Sequence, residues 1–199
     1  MLFRSANDAS GNGYNGTVNG AMLTTDRFGN TNSAYSFNGQ TVASTNNTVI
    51  QTDCYIQVPN FNALFSNAIT ISAWVEYQNN NQNPYGGDPI VHRRNSNSID
   101  FNFGIANNKM GTHLGPIGQF IDTEILSYGT WYNLVSVYDG VNITFYVNGQ
   151  LTSQFSASGN MDNNWSDLFI GRYVYYGGLR HYFYYNGKID DIGIWNRAL

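Results

Sequence analysis

Charge is scarce in this chain: only 11% of its 199 residues are Asp, Glu, Lys or Arg, and the formal net charge is −4. A surface so poor in Lys and Arg has no stripe able to neutralise a run of phosphates, which argues against nucleic acid as a partner. Cysteine is scarcer still. Cys54 stands alone, so no disulfide can close within the chain and the Cys-rich framework of small secreted scaffolds is absent. In a strand-like segment such a residue reads as a small buried apolar group. No window approaches the roughly 18 uncharged apolar residues of a membrane span, so no membrane insertion is expected. Helical periodicity is missing beyond a turn or two. The opening MLFRSANDASGN lacks the apolar centre of a signal peptide, and WNRAL stops at the close of a strand. Both ends predict a domain taken from a longer, exported protein.

What fills the chain instead is Asn, Gly, Ser, Thr and Tyr, with 21 Gly for turns and 15 Tyr for strands. Residues 131 to 151, WYNLVSVYDGVNITFYVNGQL, write a complete hairpin and begin another. Alternation from Trp131 to Tyr138 puts successive side chains on opposite faces of a sheet. Asp139-Gly140 and Asn148-Gly149 supply the residue types that tolerate positive φ in tight turns. The same reading gives strands at 34–37, 55–58, 69–77, 89–93, 101–106, 109–114, 168–171 and 189–195, with turn-rich polar stretches at 5–33, 40–53, 78–88, 115–130 and 152–167. Within 5–33, Val18, Ala21, Met22, Leu23 and Phe28 are the expected apolar anchors. Many short strands punctuated by Gly, Asn and Asp predict an all-β, two-sheet antiparallel jelly-roll sandwich, and residues 1–199 are expected to form one domain.

The ordered series SAWV (72–75), WYNLVSVYDG (131–140), ITFYVNGQL (143–151), LFIGR (168–172) and GKIDDIGIWNRAL (187–199) resembles the laminin G-like branch of the concanavalin A-like lectin and glucanase superfamily. NDASGNGYNGTVNGA (7–21) and DRFGNTNSAYSFNG (26–39) are similar to the same branch in secreted bacterial proteins.

Several relatives of that fold cleave polysaccharides, and a retaining glycosidase needs two carboxyl groups about 5 to 5.5 Å apart. This chain has only Glu76 and Glu124 as glutamates, and neither sits in the alternating Glu-Asp-Glu pattern of the laminarinase-like members. Asp190 and Asp191 are adjacent, so in a regular strand they point to opposite faces. No local motif joins a Ser or Cys54 to His92, His113 or His181. The chain is therefore expected to be no enzyme.

Calcium is the expected cofactor. It takes six to eight oxygen ligands, and the chain is rich in carboxylates, amides and carbonyls while poor in Cys and His. The resemblance implies a structural site tying the first strands to the last, with Asp190 and Gly39 as ligands and Asp8 as a third; the other role open to Asp190 is turn capping. For the ligand, aromatics amid amides and carboxylates are the residues that pack on the apolar face of a sugar and hold its hydroxyls. Tyr85 and Asp88 in the 78–88 loop, Trp165 in the 152–167 crossing, and Tyr176, Arg180 and His181 in the 173–185 stretch form the candidate rim, although aromatics in 182–185 serve equally as strand residues. Trp74, Trp131 and Trp195 are expected in the core, and His92, Arg93 and Arg94 at a solvated strand end. The resulting expectation is a non-catalytic carbohydrate-binding or adhesion module of a secreted or cell-surface multidomain protein, taking a glycan or cell-surface polysaccharide. A structural or protein-interaction domain is the alternative.

Overall fold

A computed structural model of the chain describes residues 2–3, 6–38, 42–43, 54–65, 67–78, 87–94, 98–163, 166–177 and 179–199, with side chains at all of these but 2–3, 42–43 and 175–181. Strands run throughout. The first half holds β1 (Leu2–Phe3), β2 (Thr17–Asn19), β3 (Met22–Thr24), β4 (Ala34–Asn38), β5 (Val42–Ala43), β6 (Tyr55–Val58), β7 (Ile69–Tyr77), β8 (Asp88–Arg94) and β9 (Ile99–Ala106). The second holds β10 (Lys109–Leu114), β11 (Gly118–Ile121), β12 (Trp131–Tyr138), β13 (Asn142–Val147), β14 (Gln150–Ser156), β15 (Leu168–Ile170), β16 (Arg172–Gly177), β17 (Leu179–Tyr184) and β18 (Asn186–Trp195).

Two large antiparallel sheets make the sandwich. One has the order β14-β13-β12-β7-β18-β4-β3, with β1 pairing on β18, and the other the order β11-β10-β9-β8-β15-β6-β2. β16, β17 and β5 form a third, small sheet in the order β16-β17-β5. The period-two pattern of ITISAWVEY decides which face of β7 is inward: Ile69, Ile71, Ala73, Val75 and Tyr77 are buried, while Ser72, Trp74 and Glu76 are only half-buried. Phe101, Phe103 and Ile105 of β9 and Met110 and Leu114 of β10 close the core from the other sheet. Each large apolar side chain so buried contributes about 1.5–3 kcal/mol. Two polar pairs enter this core. Thr112 of β10 donates to Ser136 of β12 at 2.9 Å across the sandwich, and Arg93 meets Asp100 at 3.0 Å with both side chains essentially unexposed.

Three expectations change here. His92 and Arg93 are fully buried, because β8 is an interior strand between β9 and β15 and not a solvated end. Trp74, Trp131 and Trp195 lie outside the buried core, half-buried on the outer face of the eight-stranded sheet, since they alternate against the inward residues. Of the anchors proposed in 5–33 only Ala21 is buried; Met22, Leu23 and Phe28 are exposed, and this stretch contributes the edge strands β2 and β3.

Gly171 directs the chain out of the sandwich. It has φ +75, a conformation that side chains with a Cβ rarely adopt, and a Cβ there would lie 2.5 Å from the Phe37 ring. Its N–H donates to the Ile90 carbonyl at 3.0 Å. After it, β16 and β17 fold back as a flap over the outer face of the seven-stranded sheet. Arg172 stacks on Tyr55 at 3.8 Å and on Phe169 at 4.0 Å, and Tyr173 meets His92 with ring centroids 4.4 Å apart.

Candidate functional site

Cross-strand register builds the floor beneath the flap. Phe169 pairs with His92, His92 with Asn102, Asn102 with His113 and His113 with Gln119. Directly opposed residues share a face, so these five form one continuous outer row across β15, β8, β9, β10 and β11. The adjacent row is Pro89, Gly104, Gly111 and Ile121. Two glycines in succession leave a hollow there, and the main chain and side chains around them close in on it. A Cβ on Gly104 would lie 2.6 Å from the Asp88 carbonyl oxygen, and one on Gly111 would lie 2.7 Å from Ile121 Cδ1.

The result is a cavity of about 300 Å³ with Asn102, His113 and Gln119 on its floor and Tyr173 and Phe183 of the flap on its other wall. The two rings are cross-strand partners, 5.9 Å apart and inclined by 37°. That volume is at the lower end for small-ligand sites. The polar side chains on its floor are neutral and bifunctional. Burial, and then Arg94, holds the His113 imidazole below its ordinary pKa, so at neutral pH it offers one donor and one acceptor. His92 beneath it is held well below the ordinary value by burial, with Arg94, Arg172 and His113 adding like-charge repulsion. The Asn102 side chain lies against the His92 ring and pulls its pKa the other way, but neither ring nitrogen nor the buried Asn102 Oδ1 makes a hydrogen bond of sound geometry. Unsatisfied buried polar atoms are rare in native proteins and concentrate where a ligand or ordered water completes them.

Of the candidate rim, Asp88 is placed at this cavity. It opens β8, is buried, and its carboxylate accepts a hydrogen bond from the Tyr77 hydroxyl. Burial and then Asp88 raise the Tyr77 phenol above its ordinary pKa. Tyr176, Arg180 and His181 lie in the flap strands, with Tyr176 and Arg180 paired in register and His181 paired with Ala43 of β5. Tyr85 and Trp165 lie outside the described residues. Sequence reasoning missed Asn102, Gln119 and Phe183 and assigned His113 no role. For Asn102 and His113 the only local signal was alternation against the buried Phe101, Phe103, Met110 and Leu114, which put them on an outer face without saying what covers it.

A second polar cluster sits on the outer face of the eight-stranded sheet. Asp190 and Asp191 do not diverge. Asp191 has φ 44 and the register with β7 shifts between Asp190 and Gly193, a bulge that breaks the alternation and re-aims a side chain. Both carboxylates reach Arg27, Nη1 to Asp190 Oδ2 at 2.8 Å and Nη2 to Asp191 Oδ2 at 2.9 Å. Burial, then the charge of Asp191, pushes the Asp190 pKa up to about 6 against the opposing pull of Arg27.

As to the implied calcium ligands, the other oxygen of Asp190 accepts the Asp191 N–H at 2.8 Å. Asp8 spends its carboxylate within its own loop, accepting from the Ser10 N–H, the Ser10 hydroxyl and the Tyr14 N–H at 2.9, 2.9 and 3.1 Å. Gly39 is outside the described residues. Among the described residues no three His, Cys, Asp or Glu side chains gather to hold a metal ion.

A family model described as the concanavalin A-like lectin/glucanases superfamily matches residues 50–199, and the two large antiparallel sheets are consistent with it. The chain belongs to that superfamily. No curated protein sequence matches it. Among solved structures, it is similar to domain 4 of an extracellular arabinanase from Geobacillus stearothermophilus in complex with arabinotriose, at 17% identity and TM-score 0.66, covering 98% of this chain and 88% of that one. It is also similar to the binding domain of a paraclostridial mosquitocidal protein, at 19% identity and TM-score 0.66, covering 100% of this chain and 48% of that one. The receptor-binding domain of botulinum neurotoxin type G gives 15% identity and TM-score 0.65, covering 100% and 47%. This superfamily member thus spans about half the length of the toxin binding domains. At these identities the likeness speaks for the shared fold.

Proposed function

We propose that this domain is a non-catalytic carbohydrate-binding module of an exported protein, and that it holds its glycan in the cavity between the seven-stranded sheet and the flap. The observation that supports this most is the facing of two chemistries across one hollow. Tyr173 and Phe183 offer ring surface to the apolar face of a sugar, and the row Asn102, His113 and Gln119 offers neutral donors and acceptors to its hydroxyls. The arabinotriose complex of one similar structure fits the same reading.

Hydrolysis has little support at this position. A retaining mechanism needs a second carboxyl group within about 5 to 5.5 Å of the first, whereas Asp88 is the one acidic residue lining the cavity among the described residues and its carboxylate is engaged by Tyr77. Affinity in so small a site is expected to be weak, with several copies or an attached enzyme supplying avidity.

A glycan array followed by calorimetric titration tests the reading. Asn102→Ala and His113→Ala should each weaken binding about tenfold, the cost of a hydrogen-bonding group lost from a desolvated site. Unchanged affinity in both variants would move the ligand elsewhere. A blank array would favour a protein partner, for which the half-buried Trp74, Trp131 and Trp195 on the opposite outer face are the apolar candidates.

A further inference from the structure

Arg27 grips Asp190, the residue that the family resemblance implies as a calcium ligand. The loop that presents it is built by Asp26, whose carboxylate accepts the N–H groups of Phe28 and Asn30 at 2.8 and 2.9 Å and the side-chain amide of Asn30 at 2.9 Å. Asp26 N–H donates to the Asn30 carbonyl at 3.1 Å, Gly29 N–H donates back to the Asp26 carbonyl at 3.2 Å, and Gly29 takes the positive φ that closes the turn. None of these bonds uses the Arg27 side chain, so the loop between β3 and β4 is shaped independently of what that side chain grips.

The guanidinium then spans the fold. It bridges Asp190 and Asp191, 163 and 164 residues away in β18, and lies 4.4 Å from the ring of Trp74 in β7 and 4.5 Å from that of Phe28. The side chains of Arg27, Asp190 and Asp191 are 15%, 4% and 21% exposed. A planar fork of donors suits two carboxylate oxygens side by side, and its faces suit aromatic rings. Two neighbouring carboxylates, with Asp26 close enough to add to their repulsion, need a cation between them. Calcium would need six to eight oxygens, and both oxygens of Asp190 are already taken.

We propose that Arg27 is a built-in substitute for the structural cation, tying the β3–β4 loop to β18 so that the domain stays folded without calcium. The inference stands apart from the glycan reading and fails or holds separately from it.

The test compares wild-type protein stripped with EDTA and then supplied with millimolar calcium, or with terbium, whose luminescence Trp74 would sensitise at this position. Wild type should show no calcium shift in melting temperature and no terbium emission. Arg27→Gln should melt lower, gain several degrees on adding calcium, and emit with terbium in a manner lost in Arg27→Gln/Asp190→Asn. Arg27→Lys, which keeps the charge, should stay insensitive to calcium. Calcium stabilisation or terbium emission in wild type that Asp190→Asn removes would overturn the proposal, and this result needs no Arg27 variant to fold. A folded Arg27→Gln protein that ignores both metals would overturn it as well.

Discussion

His92 is a neutral imidazole sealed under Tyr173, and its folded pKa lies well below the value near 6.5 that the unfolded chain would show. The unfolded state therefore binds more protons between those two values. The stability His92 contributes is present above about pH 6.5 and is lost as pH falls toward the folded pKa. Urea unfolding at pH 7 and pH 5 should show wild type weakened at the lower pH and His92→Phe weakened less; equal losses would deny the burial. His113 shifts in the same direction and keeps part of the effect in the variant. Nothing in the run His92-Arg93-Arg94 announced this. Three basic residues in sequence read as a solvated end, and the strand that encloses them, β15, comes from residues 168–170. The buried pair Arg93–Asp100 was hidden for the same reason. Arg93→Met, which leaves Asp100 buried without its cation, should cost about 3–5 kcal/mol in denaturant unfolding, and Arg93→Met/Asp100→Leu should recover much of it.

Among elements, those whose sequence carries both alternation and turn chemistry were legible: β7, and the hairpin of β12 and β13 with Gly140 at φ 96. The next turn has Asn148 at φ 51 and Gly149 at φ 77, as a two-residue hairpin requires. The Asn148-Gly149 turn announces the start of β14, but from residue 152 onward the strand is indistinguishable from a polar crossing, because it is an edge strand with exposed or half-buried side chains and no apolar period marks it. The bulge at Asp191 was illegible for another reason. Adjacent Asp residues in a strand pattern imply opposite faces, and only the positive φ at Asp191 overrides that. The flap belongs to the same class, since its Tyr-rich alternation fits a core strand as well as a cover. The cavity beneath it offers a direct handle. Gly111→Val adds side-chain volume beside Ile121 inside the hollow, and should abolish glycan binding in titration while leaving the circular dichroism of a folded sheet protein; retained affinity would place the ligand outside.

For the whole molecule, the sandwich was readable from composition and punctuation, but the partner face of each sheet was not. Which outer face is covered depends on the β16–β17 excursion at Gly171, and which is held by an internal cation depends on Arg27 meeting β18. Both are long-range events with no local signature. The molecule consequently has two unlike outer faces, one with a polar-floored hollow and one with half-buried tryptophans and ion pairs. The measurement that separates them is an amide and side-chain NMR titration of the isotope-labelled domain with the best glycan from the array. Binding in the cavity predicts shifts at Asn102, His113, Gln119 and Tyr173 with the indole signals of Trp74, Trp131 and Trp195 unmoved. Shifts confined to those indoles, with the Asn102–His113–Gln119 row silent, would contradict it.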